Sequence, residues 1–298
     1  MSNIIFHADD YGANQEISEH ILDCYRKGAL TSLSVLPNSP HLAACMEMLE
    51  PYRKTVAVSI HCNLAEGHCL SDPAQVPWLV DGRGMFAISF FKVLLLSFTG
   101  KRAELKRQIK TEMRAQITRM LPYVETLRLD SHQHYHMIPV VLESMLEAAQ
   151  ESGRKIAFIR IPAEPLRPFL RQISLYPTYR PINLVKNIVL NVLHGMNRKL
   201  LKPYRKNSAV FFGILLSGRM DLARVETLLP AFQRVAERKG LPLEVLCHPG
   251  GVSAAESLMD PENRDCAAFY TADGRRAEKR MLLKIADRLP VIRRSPLS

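Results

Sequence analysis

The sequence predicts a single α/β domain over residues 1–298, a distorted or incomplete (β/α) barrel with a basic, partly helical insertion at about residues 165–207. Three observations predict it. Seven short runs rich in β-branched and aliphatic residues alternate with longer stretches of helical periodicity, the pattern of parallel strands joined by crossover helices. No GxGxxG follows any of these runs, which argues against an open dinucleotide-binding sheet. The polar residues best suited to chemistry fall where the runs stop, as at the C-terminal face of a barrel.

The first run, residues 4–8, leads into HADDYG, where Asp9 and Asp10 stand side by side. Two adjacent carboxylates repel unless a cation or a catalytic task separates their roles; the plain alternative is a solvated turn. A helix is expected over 17–27, a strand over 32–36, a helix over 43–49, and a strand over 56–61 that ends on His61. Residues 85–98 are apolar but too short to span a bilayer, and they contain Lys92. A helix over 105–121 precedes the strand 126–129. Asp130, His132, His134 and His136 then occupy every second position, and a continued extended conformation would put them on one face. The remaining units are a helix over 140–152, strands over 156–161 and 209–216, a helix over 222–239 and a strand over 243–247. His248 and the turn Pro249-Gly250-Gly251 follow that last strand.

Composition narrows the class. Hydrophobic residues at 47% and charged residues at 23% are those of an ordinary globular protein. Six cysteines without a CxxC pair suggest no disulfide framework, and Cys62 and Cys247, beside two of the histidines, read as small buried residues. The Met-Ser-Asn start has neither a basic nor an apolar leader region, so a reduced, cytoplasmic protein is expected. The net charge of +11 is uneven: residues 165–220 contain no acid and ten basic side chains, a segment suited to phosphates on nucleic acid, lipid head groups or a substrate. Within it Leu184, Ile188, Val189, Val192 and Leu193 recur at helical spacing. Two readings stand: an amphipathic helix over 182–201 packed by its apolar residues on the barrel, or a helix that meets a membrane surface.

On one barrel face, remote segments deliver Asp9, Asp10, His61, His132 and His248 to a common pocket. These are nitrogen and oxygen ligand types for a divalent metal with positions left for water or substrate. A metal also accounts for the paired aspartates, one ligating while its neighbour accepts a proton from water; a histidine across the pocket would protonate the leaving group.

HADDYG, the histidine of SIHCNL, DSHQHYH and EVLCHPG appear in the order found in the YdjC-like carbohydrate deacetylases, which include the chitooligosaccharide deacetylases, and the likeness runs from residue 3 to about 289. LTSLSVLPN, ETLRLDSH and FIRIPAE are similar as well. The resemblance implies a distorted barrel that hydrolyses an N-acetyl group from an amino sugar with one divalent metal, Mg2+ or Zn2+. By position it implies Asp10, His61 and His132 as metal ligands, Asp9 as general base, and His248 as general acid or transition-state stabiliser. Arg160 would reach the substrate or orient a carboxylate, and His134 and His136 would support the ligands or touch the sugar. Two positions depart from the family: His7 stands where Asn is usual, and Ser59 where Gly is usual; neither removes a ligand. The apolar segment and the basic insertion resemble a branch associated with hopanoid biosynthesis, which implies an acetylated sugar on a lipid, or else an oligosaccharide, and peripheral contact with the inner face of an anionic membrane. A homodimer stays open.

Two other classes compete. A metal-dependent phosphoesterase would use similar strand ends, but two-metal phosphatases need more ligands than one good site supplies. A basic nucleic-acid-binding protein would explain the isoelectric point near 9.5, but the basic residues are interleaved with aliphatics and carry no recognition motif, so no nucleic acid is expected.

Overall fold

The computed structural model describes residues 3–289. Seven strands form one all-parallel sheet: β1 (Ile4–Tyr11), β2 (Ser32–Val35), β3 (Ala57–Cys62), β4 (Leu127–Ser131), β5 (Ile156–Ile159), β6 (Val210–Phe212) and β7 (Leu243–Cys247), in the order β5-β4-β3-β2-β1-β7-β6. The sheet curls into an incomplete barrel, as the strand-and-helix alternation predicts. Arg160, just past β5, reaches across the interior to Glu244 on β7 at 2.8 Å. No ladder joins β5 to β6 among the described residues. Asn207 bridges them instead: its carbonyl accepts from the Ile159 N–H at 2.8 Å, and its amide donates to the Ala157 carbonyl at 3.2 Å.

The crossover helices are α1 (Gln15–Lys27), α2 (Leu42–Leu49), α3 (Phe90–Leu96), α4 (Arg102–Met120), α5 (Pro139–Glu151), α6 (Arg167–Leu170), α7 (Pro181–Met196), α8 (Arg198–Leu201) and α9 (Leu222–Lys239); α10 (Arg264–Thr271) and α11 (Asp273–Ile285) follow β7. Their ends follow local chemistry. The Asn14 side chain caps α1 by accepting from the Ile17 N–H at 2.8 Å, and Asp221 caps α9, which Gly240 closes in a left-handed conformation. Strong signals at both ends are why α9 is legible from sequence to the residue. The core lies between sheet and helices; Phe212 of β6 stacks on Phe232 of α9 with centroids 4.3 Å apart.

The structure corrects three expectations. The strand expected over 209–216 stops at Phe212, because the N–H groups of Gly213, Ile214 and Leu215 donate to the buried Glu164 carboxylate at 2.6, 3.0 and 2.9 Å. A carboxylate takes the donors that a ladder would need. Both helices after β7 were absent from the sequence reading. The third correction concerns α7, whose polarity is opposite to that of a helix packed by its apolar residues. Its buried face carries Asn183 and Asn187 beside Leu190 and Leu193, whereas Leu184, Ile188 and Val192 face outward. Asn183 donates to the carbonyls of Leu215 and Ser217, both at 3.2 Å. Asn187 donates to the Glu164 carboxylate at 2.9 Å, and Asn191 to the Glu164 carbonyl at 3.1 Å. Asparagines one turn apart therefore fasten α7 to the barrel rim through Glu164 and the loop after β6.

Candidate active site and metal centre

In a regular strand Asp9 and Asp10 would point to opposite faces. Here the register against β2 shifts between Ala8 and Tyr11, and Asp10 is left-handed at φ 68°. This bulge turns both carboxylates to the same place: Asp9 Oδ2 lies 3.6 Å and Asp10 Oδ1 3.8 Å from His61 Nε2. A non-glycine residue in this conformation is strained, although Asp tolerates it better than most, and such strain collects at functional sites.

Two arginines hold the pair apart in role. Arg160 clamps Asp9 with two hydrogen bonds, Nη1 to Oδ2 at 2.9 Å and Nη2 to Oδ1 at 2.8 Å. Burial alone would raise the Asp9 carboxyl, but Arg160, then His61 and His7, hold it well below the ordinary carboxylate range. Arg275 of α11 donates from Nη1 to Asp10 Oδ2 at 2.8 Å and from Nε to the Gly250 carbonyl at 2.6 Å. Burial again opposes, but His132 and Arg275 keep Asp10 ionised. Gly250, at φ 81°, is left no alternative by its surroundings: a Cβ there would sit 2.3 Å from His20.

Asp10 Oδ1, by contrast, is buried and receives no hydrogen bond. It lies 3.2 Å from His132 Nδ1 and faces His61 Nε2. One oxygen and two imidazole nitrogens from Asp10, His61 and His132 all lie within 4.8 Å of one another. Asp130 accepts from His61 Nδ1 at 2.6 Å, which orients the ring so that Nε2 turns to Asp10; its other oxygen is bound by the Ser34 hydroxyl. A carboxylate behind a histidine is the support that metal-binding imidazoles have. The orphaned oxygen, the two nitrogens and this support fit a divalent ion. Two further trios can be drawn. Glu66, His132 and Cys266 share His132, the Tyr270 hydroxyl already donates to Glu66 at 2.6 Å, and burial raises the Cys266 thiol far above its ordinary value. In the trio of His7, Asp9 and Asp130, both carboxylates are already paired with the Arg160 guanidinium. Of the three trios, the first alone joins a carboxylate oxygen without a hydrogen bond to a histidine backed by a carboxylate, whereas two-metal phosphoesterases need more ligands.

The histidine-rich stretch does not continue as a strand. β4 ends at Ser131, and residues 132–137 form a tight helical turn in which Gln133 and His134 are left-handed at φ 51° and 60°. The expected common face is thus lost and the histidines separate. His132 goes to Asp10, whereas His134 lines the cavity, with burial holding its imidazole well below the ordinary value and hence neutral. His136 is fully buried between the Ser131 hydroxyl at 2.6 Å and the Arg160 carbonyl at 3.0 Å. Neither His136, expected to support the ligands or touch the sugar, nor Arg160, expected to reach the substrate or orient a carboxylate, lines the cavity: His136 holds the turn, and Arg160 bonds both oxygens of Asp9. His7, the departure from Asn, bridges Ser32 at 2.8 Å and Ser34 at 2.6 Å beneath the site. Ser59, the departure from Gly, is buried with an unpartnered hydroxyl.

The cavity, of about 490 Å³, is lined by the polar side chains of Asp9, His132, His134 and His248. Phe90 and Phe91 of α3 and Ile182, Val185 and Leu190 of α7 line it as well. The His248 ring meets Phe269 edge-on at 5.1 Å, and the backbone N–H of His248 donates to Glu278 of α11 at 2.5 Å. Sequence reasoning missed Glu66, Glu164, Glu244, Arg275 and Glu278. A signal existed: Arg275 and Glu278 fall on the same face of α11 as Leu282 and Ile285, and a charge on an apolar face must have a partner.

A family model described as YdjC-like protein matches residues 3–285. Among relatives, the carbohydrate deacetylase of Thermoanaerobacter pseudethanolicus is 30% identical over 51% of this chain and 58% of its own length, and that of Danio rerio 27% over 54% and 50%. The chain thus spans about half the length of the relatives it matches. A crystal structure from Enterococcus faecalis V583, provisionally described as a cellobiose-phosphate cleavage protein, covers 96% of this chain and 93% of its own at a TM-score of 0.66 and 17% identity. That likeness supports the fold.

Proposed function

Since the chain belongs to the YdjC-like family, we propose that it is a metal-dependent hydrolase that removes the N-acetyl group from an acetylated amino sugar. The observation that carries the proposal is the convergence of Asp10, His61 and His132 beside an arginine-clamped Asp9, with Asp9 and His132 lining a cavity. Asp10 Oδ1, His61 Nε2 and His132 Nδ1 would hold the ion; a donor set with two imidazoles suits Zn2+ better than Mg2+, which prefers oxygen. A divalent ion at this place supplies Lewis acidity to the acetyl carbonyl and lowers the pKa of water. Asp9, kept ionised by Arg160, accepts the proton of the water that attacks the carbonyl carbon. As the carbon–nitrogen bond breaks, His248 supplies a proton to the departing amine, so that acetate and a free amino sugar result.

The aromatic and aliphatic wall of the cavity suits an aglycone of hydrocarbon, as on a hopanoid-type glycolipid, better than a second sugar. Incubating the metal-loaded protein with acetylated sugars and glycolipids and reading the products by mass spectrometry tests the reaction. Loss of one acetyl group with release of acetate is the expected result, and intact substrates across the panel together with hydrolysis of a phosphate ester would overturn it.

A further inference from the structure

Every exposed large hydrophobic residue among the described residues belongs to one of two segments, 91–98 or 170–196. These two segments also border the cavity: Phe91, 68% exposed, Ile182, 59% exposed, and Val185, 50% exposed, are at once lining and surface residues. The outward aliphatics of α7 continue from there through Ile188 and Val192 to Met196. A surface helix that buries asparagines and exposes aliphatics is inverted relative to solvent, and a clustered apolar surface of this kind marks an interaction site.

We propose that this face docks on an anionic lipid bilayer, with the cavity mouth directed at the membrane so that substrate enters from the lipid surface. Charge selects the partner. Residues 165–220 carry ten basic side chains and no acidic one, and Arg171, Arg180, Lys186, Lys199, Lys202 and Arg205 are exposed. A second copy of the chain would bring like charges together, whereas a surface of anionic head groups over hydrocarbon complements both features. No described helix is long and apolar enough to cross a membrane, so α7 lies on the surface. The docking rests on the deacetylase reading only for what enters the mouth.

The test is co-sedimentation of the whole protein with vesicles of phosphatidylcholine, with and without phosphatidylglycerol, at low and high salt. Binding to the phosphatidylglycerol vesicles at low salt is expected. In the triple variant Lys199→Gln, Lys202→Gln, Arg205→Gln it should weaken by up to about fivefold per charge removed. The variant Ile188→Ser, Val192→Ser, Met196→Ser, whose residues lie outside the cavity wall, should lose vesicle binding while turnover of a soluble acetylated sugar is unchanged. Absence of binding by the unaltered protein at low salt, binding that both variants retain, or a dimer that the serine variant dissociates would each overturn the proposal. Sedimentation needs no turnover, so a failure of the deacetylase reading is recognised separately.

Discussion

Replacing Arg160 by glutamine tests whether the site depends on one buried cation. Arg160 is fully buried; besides its two bonds to Asp9 it donates from Nε to Glu244 at 2.8 Å and lies 3.2 Å from Asp130 Oδ2. Without it Asp9, Glu244 and Asp130 lose the guanidinium that bonds them, and Arg128 is the guanidinium that remains within electrostatic reach of Glu244 and Asp130. A unit charge about 4 Å from another interacts by about 4 kcal/mol at an effective dielectric near 20, and breaking a buried pair costs about 3–5 kcal/mol. Arg160→Gln should therefore lower the unfolding free energy in urea by about 3–5 kcal/mol, a large part of the 5–15 kcal/mol typical of whole domains. Burial would then act on Asp9 without the largest opposing influence, so its carboxyl rises and the acid limb of kcat/KM moves to higher pH. Adding Asp9→Asn in the same chain removes one of the stranded charges; it should recover part of the stability and none of the activity. A stability within about 1 kcal/mol of the unaltered protein, with only KM changed, would refute this account and return Arg160 to the substrate.

Asp9→Asn alone should keep the metal and lower turnover by about a hundredfold or more, the usual range for a lost general base; near-normal turnover would remove Asp9 from that role. His132→Ala should lose both metal and turnover while retaining the far-ultraviolet circular dichroism of the fold, and full metal occupancy by elemental analysis would show the ligand set to be wrong. The pH dependence follows from the depressed Asp9 and Asp10 carboxyls: their contribution to stability is present above the unfolded value near about 4 and is lost as pH falls below it. Thermal unfolding of the metal-free protein should therefore drop steeply from about pH 4 downward, and an Asp9→Asn variant should show a shallower drop.

The barrel was legible because parallel strands put all their C-terminal ends on one face, so Asp9, Asp10, His61, His132 and His248 could be brought together without knowing any angle. What stayed hidden was decided by tertiary contacts. Nothing local marks Asp10, Gln133 or His134 as left-handed, yet these residues set which carboxylate meets which arginine and which histidine turns away from Asp10. The apolar spacing of α7 reported the helix correctly but not which side faces inward, because buried asparagines paired with Glu164 replaced the apolar contact that periodicity assumes.

The arginine on Asp10 carries a consequence for the order in which the protein is made. Asp10 and Arg275 are 265 residues apart, and α11 also supplies Glu278 to the His248 N–H. At a synthesis rate of about 5–20 residues per second, Asp10 is exposed for roughly 15–50 s before its counter-ion exists. All seven strands can be complete while the Asp10 carboxylate still lacks its anchor. A chain stopped after β7 would have the scaffold of the barrel but not the arginine that anchors Asp10, which arrives only with α11.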